Sequence, residues 1–191
     1  MFSLKIIIAS TRPGRKGPSI GAWIHEVAKQ HGAFEVTLLD LAIINLPFFD
    51  EPFHPRLQKY QHEHTKNWST VIDNADAFII VTPEYNFGYT APLKNALDFL
   101  YNEWNYKPIA FVSYGGVAGG TRCVQMLKQV VTAQKMMPVT EAVQIPFFTT
   151  HFNEHDVFVA NEGIQKSAEV MLAELEKWAG PLKTMRVKNK Y

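Results

Sequence analysis

Residues 81–98, with the sequence VTPEYNFGYTAPLKNALD, contain a polar and aromatic loop that lies between the end of an apolar run and a stretch with helical spacing. The run before the loop, residues 77–81, is short and wholly apolar, which is typical of a buried strand. Apolar residues after the loop recur at helical spacing and predict a helix that packs back on the sheet. Because ligands of open α/β sheets bind at the carboxyl ends of strands, we expect this loop to receive a flat ring. Alternatively, Pro83 and Gly88 only form the turn, and the aromatic side chains belong to the core.

The composition is that of an ordinary globular protein. The chain has 191 residues, 47% of them hydrophobic and 19% charged, and we predict one domain over residues 1–180 followed by a basic tail, residues 181–191, that is frayed or bound to a partner. The formal net charge of +1 gives no electrostatic reason to expect nucleic acid. No apolar run approaches the ~20 residues that span a bilayer, so no membrane partner is expected. The single cysteine, Cys123, excludes an internal disulfide and predicts a cytoplasmic location.

A second loop follows the first predicted strand, residues 4–9, and precedes an amphipathic helix. Ser19 stands at the position of an N-cap. Free backbone N–H groups and the helix dipole favour an anion at such a helix start, and the loop adds Arg12 and Arg15. Because the loop matches neither GxGxxG nor GxxxxGK(S/T), we predict a monophosphate site rather than a dinucleotide or ATP site. A solvated basic connection is the alternative.

Three further features bear on chemistry. A glycine-rich loop, residues 113–120, follows the fourth predicted strand and lets the backbone approach a ligand closely. Cys123 shares helical spacing with apolar residues, so we predict a core residue and not a nucleophile. His62 and His64 are two positions apart and do not share a helix face. Since no cysteine or spaced carboxylate accompanies them, no metal site is expected.

Strands and helices alternate along the chain, which predicts a parallel sheet with helices on both faces. The strands are expected at residues 4–9, 34–40, 76–82, 107–113 and within 136–145. The helices are expected at residues 20–28, 57–74, 93–101, 123–131 and 164–179, the last closed by Gly180 and Pro181. Loops suited to a ligand after strands one, three and four favour an α/β, flavodoxin-like three-layer sandwich with strand order 2-1-3-4-5. The Pro- and Phe-rich stretch 41–55 is expected to be a partner surface or a pocket rim.

Three motifs in these loops resemble those of the NAD(P)H-dependent FMN reductase family, flavodoxin-like proteins that include quinone, azo-dye and chromate reductases. They are A-S-T-R with a later serine (residues 9–12 and 19), P-E-Y-N with L-K-N-A-L-D-F (83–86 and 93–99), and G-G with G-G-T-R (115–116 and 119–122). The resemblance covers most of residues 4–135, and no family motif is found in the C-terminal third. The first loop is longer than is usual in the family, and Gly21 stands where the family often has Asn.

The resemblance implies an FMN site and assigns its residues. The phosphate would be held by Ser10, Thr11, Arg12, Arg15, Ser19 and the backbone of Ile20. The ring would be held by Pro83, Glu84, Tyr85, Asn86 and Phe87, mostly through backbone groups, and lined on its other edge by Ser113, Tyr114, Gly115 and Gly116.

The resemblance also implies the activity. The chain would pass a hydride from NADPH or NADH through bound FMN to quinones, azo dyes, free flavin or similar small-molecule acceptors, with ping-pong kinetics and without a catalytic side chain. Family members are dimers or tetramers with the flavin near the subunit interface. The segment 46–53 and the helix from Leu93 are the candidates for that interface.

Three other classes of protein are alternatives to this one. A flavodoxin-like electron carrier without NAD(P)H activity is the main alternative, although such carriers are usually strongly acidic. A phosphatase with a phosphate loop after strand one would need a nucleophilic Cys in that loop, and no Cys precedes Arg122. A flavin-free interaction protein with the same fold is disfavoured because Arg12 and the whole P-E-Y-N loop are present.

Overall fold

A computed structural model describes residues 1–188, and its core is a parallel sheet of order β2-β1-β3-β4-β5. Its strands are β1 (Phe2–Ile8), β2 (Phe34–Asp40), β3 (Ala77–Pro83), β4 (Pro108–Tyr114), β5 (Met137–Pro138) and β6 (Val143–Ile145). Every residue of β3 and β4 is buried, as their near-continuous apolar sequences predict for central parallel strands. The predicted flavodoxin-like sandwich and its strand order 2-1-3-4-5 are therefore confirmed.

The fifth predicted strand is divided in two. β5 pairs with the start of β4, at Pro108 and Ile109, and β6 pairs with its end, at Val112 to Tyr114. Both lie along the same edge of the sheet, which is where a proline such as Pro138 is tolerated because it has no N–H to donate.

Helices cover both faces of the sheet. They are α1 (Gly17–His31), α2 (Leu41–Ile44), α3 (Glu63–Asp73), α4 (Ala91–Asp98), α5 (Thr121–Ala133) and α6 (Glu162–Lys188). One apolar cluster joins alternate strand residues such as Ile6 to α1 and α6, and a second joins residues such as Ile7 to α3, α4 and α5. Two separate clusters follow from the strand period of two, which points successive side chains to opposite faces. No helix within residues 1–188 is long and apolar enough to cross a membrane.

The starts of α1 and α3 differ from those predicted. α1 begins at Gly17, with Pro18 in its first turn and Lys16 at the N-cap, so Ser19 lies inside the helix and does not cap it. The helix predicted over 57–74 is a short 3-10 turn, Pro55–Leu57, followed by α3. α3 starts only at Glu63, where the carboxylate of Glu51 accepts hydrogen bonds from the backbone N–H groups of the two residues before it. A distant side chain therefore sets this boundary.

The last helix does not end at Gly180 and Pro181 but continues to Lys188. Past the proline, Lys183 and Arg186 bind the carboxylate of Asp76 at 2.9 and 2.6 Å. These contacts hold the helix where the sequence predicted a frayed tail. The rest of that tail, residues 189–191, lies outside the described residues.

Candidate functional site

The ends of β1, β3 and β4 and the loops that follow them enclose a cleft of about 260 Å³. It is lined by Arg12, Arg15, Lys16, Pro83, Glu84, Tyr85, Tyr114, Gly115, Gly116 and Phe148. The loops predicted to bind the phosphate and the ring therefore meet at one place. Lys16 and Phe148 were not predicted. Phe148 comes from the C-terminal third, where no motif was found, and its ring centroid lies 5.2 Å from that of Tyr114.

One end of the cleft has the properties of an anion site. The hydroxyl oxygens of Ser10 and Tyr114 are buried, and neither forms a hydrogen bond of good geometry within residues 1–188, although the Ser10 hydroxyl lies close enough to lower the pKa of Tyr114 in part. A Cβ at Gly17 would collide with Ser10 Oγ and lie 3.1 Å from the Tyr114 hydroxyl, so both hydroxyls meet the start of α1. That helix start has no side-chain cap. A buried hydroxyl without a hydrogen-bond partner lowers the stability of the folded protein. An anion at this helix start would supply the acceptors that these hydroxyls lack.

Arg12 adds a positive charge beside these groups. It is exposed, its guanidinium carbon lies 5.7 Å from the Tyr85 ring centroid, and no carboxylate within residues 1–188 forms an ion pair with it. Burial raises the pKa of Tyr114 to about 12, so its hydroxyl stays protonated and able to donate. Together these groups could bind a phosphate dianion.

Arg15 and Ser19, two of the predicted phosphate contacts, have other partners. Arg15 donates to both carboxylate oxygens of Asp40, at 2.6 and 2.7 Å, and to the Ser10 carbonyl. The Asp40 carboxylate raises the pKa of Arg15. Ser19 Oγ accepts a hydrogen bond from the backbone N–H of Phe158 at 2.8 Å. Arg15 therefore fastens the loop to the end of β2, and Ser19 fastens the C-terminal segment to α1.

Ile20 and Thr11 are also placed away from the cleft lining. The backbone N–H of Ile20 donates to the Lys16 carbonyl at 3.3 Å within the first turn of α1. Thr11 lines a separate groove instead. Lys16, which does line the cleft, forms an ion pair with Asp156.

The aromatic loop contains a tight turn with unusual backbone angles. Tyr85 and Gly88 exchange both backbone hydrogen bonds at 2.9 Å, and the two residues between them, Asn86 and Phe87, have φ values of 50° and 72°. Both are left-handed conformations that side chains other than Gly adopt at a cost. Such strain is concentrated at functional sites, and this turn borders the cleft.

Glu84 and Ser113 hold the loops around the cleft together. The carboxylate of Glu84 accepts hydrogen bonds from the backbone N–H and the Nε of Arg122 at 3.1 and 2.7 Å. Ser113 is fully buried and its hydroxyl donates to the Gly119 carbonyl at 2.8 Å. The Ser113 hydroxyl therefore fixes the glycine-rich loop and does not reach the cleft, whereas Gly115 and Gly116 line it.

The other titratable candidates lie outside this cleft. Cys123 is fully buried and burial raises its pKa to about 12, so the prediction of a core residue is confirmed. The rings of His62 and His64 stack with their centroids 5.2 Å apart. This contact is possible because His62 lies before α3, so the helical spacing of side chains does not apply to it. Within residues 1–188, no group of three or more His, Cys, Asp and Glu side chains could hold a metal ion.

A second groove of about 520 Å³ lies between the segment after β2 and α4. Its lining is mostly apolar and includes Leu46, Pro47, Phe48 and Pro92. The Asn95 side chain accepts from the Phe49 backbone N–H at 3.0 Å and donates to the Pro47 carbonyl at 2.7 Å. Between these two bonds, Phe48 is held with 89% of its surface exposed.

Comparisons with known proteins show which proteins this chain is similar to. The family model for NADPH-dependent FMN reductases matches residues 3–150. An NAD(P)H-dependent FMN reductase of Schizosaccharomyces pombe is 44% identical over 145 residues, which cover 74% of this chain and 72% of that protein. An NADPH:quinone oxidoreductase of Arabidopsis thaliana is 48% identical over 59 residues, 29% of this chain and 30% of that protein. The flavoenzyme FerB of Paracoccus denitrificans, an NAD(P)H:(acceptor) oxidoreductase, has a similar fold, with a TM-score of 0.74 at 22% identity over 95% of this chain and 98% of that one.

Proposed function

Because this chain belongs to the NADPH-dependent FMN reductase family, we propose that it binds FMN in the 260 Å³ cleft and uses NAD(P)H to reduce quinones or similar small acceptors. The observation that carries the proposal is the meeting of two unpartnered buried hydroxyls, Ser10 and Tyr114, with an uncapped helix start. The Tyr85–Gly88 turn with its aromatic side chains borders the same cleft.

Each part of the cleft has a distinct role toward FMN. Ser10, Tyr114, Arg12 and the first turn of α1 would bind the phosphate. Pro83, Glu84, Tyr85 and the backbone of Gly115 and Gly116 line the part that would receive the ring, with Asn86 and Phe87 at its rim. Arg15, by its bonds to Asp40 and the Ser10 carbonyl, keeps the phosphate loop in place.

Bound FMN would supply the redox chemistry that links hydride transfer from NAD(P)H to reduction of the second substrate. The residues that line the cleft would hold the ring where both substrates could reach it in turn, and such an open cleft supports ping-pong kinetics. We propose no side-chain nucleophile, since the Cys123 thiol is buried and protonated. Parallel lines in double-reciprocal plots with NADPH and a quinone test the ping-pong order; intersecting lines would contradict it.

The acceptor is proposed to be a quinone or another flat, electron-poor molecule. The relative from Arabidopsis thaliana is named for NADPH and quinone, and an open, aromatic-lined cleft suits such rings. Azo dyes and free flavin have the same flat shape, so they are expected to be reduced as well. Rates with a quinone, an azo dye and free FMN, measured under identical conditions, rank these acceptors.

The decisive experiment is an anaerobic visible spectrum of the FMN-loaded protein before and after NADPH. A flavin spectrum that bleaches and returns on addition of a quinone supports the reductase. A flavin spectrum that neither NADPH nor NADH changes would favour the electron carrier, and a protein that fails to bind FMN would exclude both. Arg12→Ala is expected to weaken FMN binding at least tenfold while leaving the rate of reduction at saturating FMN unchanged. Arg56→Ala, an exposed arginine on the Tyr101 ring at 4.3 Å, is the matched control.

We also propose that the chain forms a homodimer through the groove beside Phe48. An exposed aromatic side chain and an apolar groove lie on the same face, so a two-fold axis would place the Phe48 of each copy in the groove of the other. The interface was predicted at the segment 46–53 and the helix from Leu93; residues 46–48 of that segment and residues of α4 line this groove. Thr11, which lies between Ser10 and Arg12 in the proposed phosphate loop, lines this groove too, so the partner would lie close to the flavin.

A further inference from the structure

The carboxylate of Glu84 forms its hydrogen bonds and its ion pair with one residue, Arg122. Its side chain is only 7% exposed, and it lines the proposed flavin cleft. One oxygen accepts the Arg122 backbone N–H at 3.1 Å, and the other accepts Arg122 Nε at 2.7 Å and lies 2.5 Å from its terminal nitrogen. Within residues 1–188, no other cation forms an ion pair with this carboxylate.

Arg122 is also in contact with the strained turn. Its guanidinium carbon lies 4.0 Å from the ring centroid of Phe87, one of the two left-handed residues of the turn. Its own backbone N–H belongs to the first turn of α5, where the N-cap Gly120 offers no side chain. Arg122 thus joins the loop after β3, including its turn, to the start of α5.

We propose that Arg122 is a positioning residue for FMN, an inference that rests on the proposed function. Two separable effects follow from its contacts. Its charge compensates the buried negative charge of Glu84, which would otherwise disfavour the transfer of electrons into the cleft. Its planar fork and its stacking on Phe87 hold the turn in the geometry that receives the ring.

Three variants separate these effects. Arg122→Ala removes the positive charge, the planar guanidinium and its stacking on Phe87, whereas Arg122→Lys keeps only the positive charge. The double variant Glu84→Gln/Arg122→Ala also removes the negative charge of Glu84, so no charge is left to compensate. The first readout is FMN affinity, by fluorescence titration of the FMN-free protein. The second is the midpoint potential of the loaded protein, which a merely structural role would not change in this pattern. Circular dichroism confirms that each variant is folded.

The expected results differ between the two readouts. Arg122→Ala binds FMN about tenfold more weakly and has a more negative midpoint potential. A tenfold loss of preference for the reduced form is about 30 mV for a two-electron couple. Arg122→Lys loses affinity severalfold but keeps the wild-type potential. The double variant regains the wild-type potential but not the full affinity. Arg56→Ala, whose arginine stacks on Tyr101 instead, matches the wild type in both.

Other outcomes would overturn the inference. Arg122→Ala with wild-type affinity and potential would show that Arg122 does not act on the flavin site. A potential that stays low in the double variant would show that the charge of Glu84 is not the cause. If Arg122→Ala does not fold, Arg122→Lys still tests the proposal. An unchanged FMN affinity in Arg122→Lys would contradict the role of the planar guanidinium and of its stacking on Phe87. A wild-type protein that binds no FMN would instead refute the proposed function itself.

Discussion

At the scale of single residues, Ser10 and Tyr114 carry the argument for a bound anion. Both hydroxyls are buried without partners within residues 1–188, although buried polar groups are nearly always hydrogen-bonded. Their position at the start of α1 explains the exception if a ligand completes their bonds. The cost of leaving them unpaired is then a property of the FMN-free protein.

Ser10→Ala is therefore predicted to affect stability and binding in opposite directions. Removing a hydroxyl without a partner should leave the FMN-free protein equally stable or more stable by about 1 kcal/mol, while FMN affinity falls about tenfold. Ser113→Ala is the control, because its buried hydroxyl donates to the Gly119 carbonyl at 2.8 Å and its loss should cost about 1 kcal/mol. Thermal unfolding and FMN titration measure the two effects. A less stable FMN-free Ser10→Ala protein would contradict the assignment.

Phe87 allows a second prediction at this scale. Its φ of 72° destabilises any residue with a Cβ by about 1–2 kcal/mol relative to Gly. Gly, in turn, loses more chain entropy on folding, which destabilises the Gly variant by about 0.5–1 kcal/mol. Phe87→Gly should therefore be roughly 0.5–1 kcal/mol more stable than Phe87→Ala, since both lose the ring. At Val117, which is not among the residues with positive φ, the same pair should show the opposite order. Urea unfolding measures the stability of the four variants. The same order of the Gly and Ala variants at both positions would argue against backbone strain at Phe87.

At the scale of elements, the end of α6 shows how tertiary contacts extend a helix past a proline. Pro181 leaves the carbonyl four residues earlier without its helical partner. The loss is offset by Arg186, which donates to Asp76 and to the Tyr106 carbonyl, and by Lys183. Asp76 lies 107 and 110 positions away in the chain. No local pattern in residues 162–188 could reveal this, so the sequence predicted an end at Gly180.

Arg186→Ala is predicted to lower the free energy of unfolding by about 2 kcal/mol, the typical contribution of a hydrogen bond to a charged group. Lys177→Ala, on the same helix but in an exposed pair with Glu174, should cause no measurable change. Chemical denaturation of the three proteins is the measurement. Equal losses in both variants would mean that the effect arises from helix propensity rather than from Asp76.

The same carboxylate predicts an acid dependence. Burial alone would raise the pKa of Asp76, but hydrogen bonds from Lys183 and the Ser3 backbone and the charge of Arg186 lower it. A lowered pKa means that its stabilising contribution is present above the ordinary Asp value of about 4 and is lost as pH falls below it. Asp76→Asn should therefore lose less stability than the wild type between pH 6 and pH 3. Parallel pH curves for the two proteins would contradict this.

At the scale of the whole molecule, the repeating pattern of strands and helices was enough to predict the fold, because each buried strand has its own apolar run and each helix its own apolar face. The site was predicted only as far as local motifs reach. The loops at the strand ends were located correctly. Phe148, which also lines the cleft, was missed because its segment contains no recognisable motif. The partners of Arg15 and Ser19 depend on tertiary pairing with Asp40 and Phe158. Sequence spacing carries no information about such pairs.

The proposed dimer is tested at this scale by Phe48→Asp. Central aromatic residues often contribute 2 kcal/mol or more, and in a two-fold interface each substitution acts twice. The dissociation constant of the dimer should therefore rise roughly 1,000-fold. Sedimentation velocity at micromolar concentration should show a dimer for the wild type and a monomer for the variant. Val170→Asp, at an exposed apolar position on α6, should remain a dimer. A wild-type monomer, or a Phe48→Asp protein with the wild-type mass, would contradict the interface. Since Thr11 lies in the same groove, the monomer should also bind FMN more weakly, which links assembly to the flavin site.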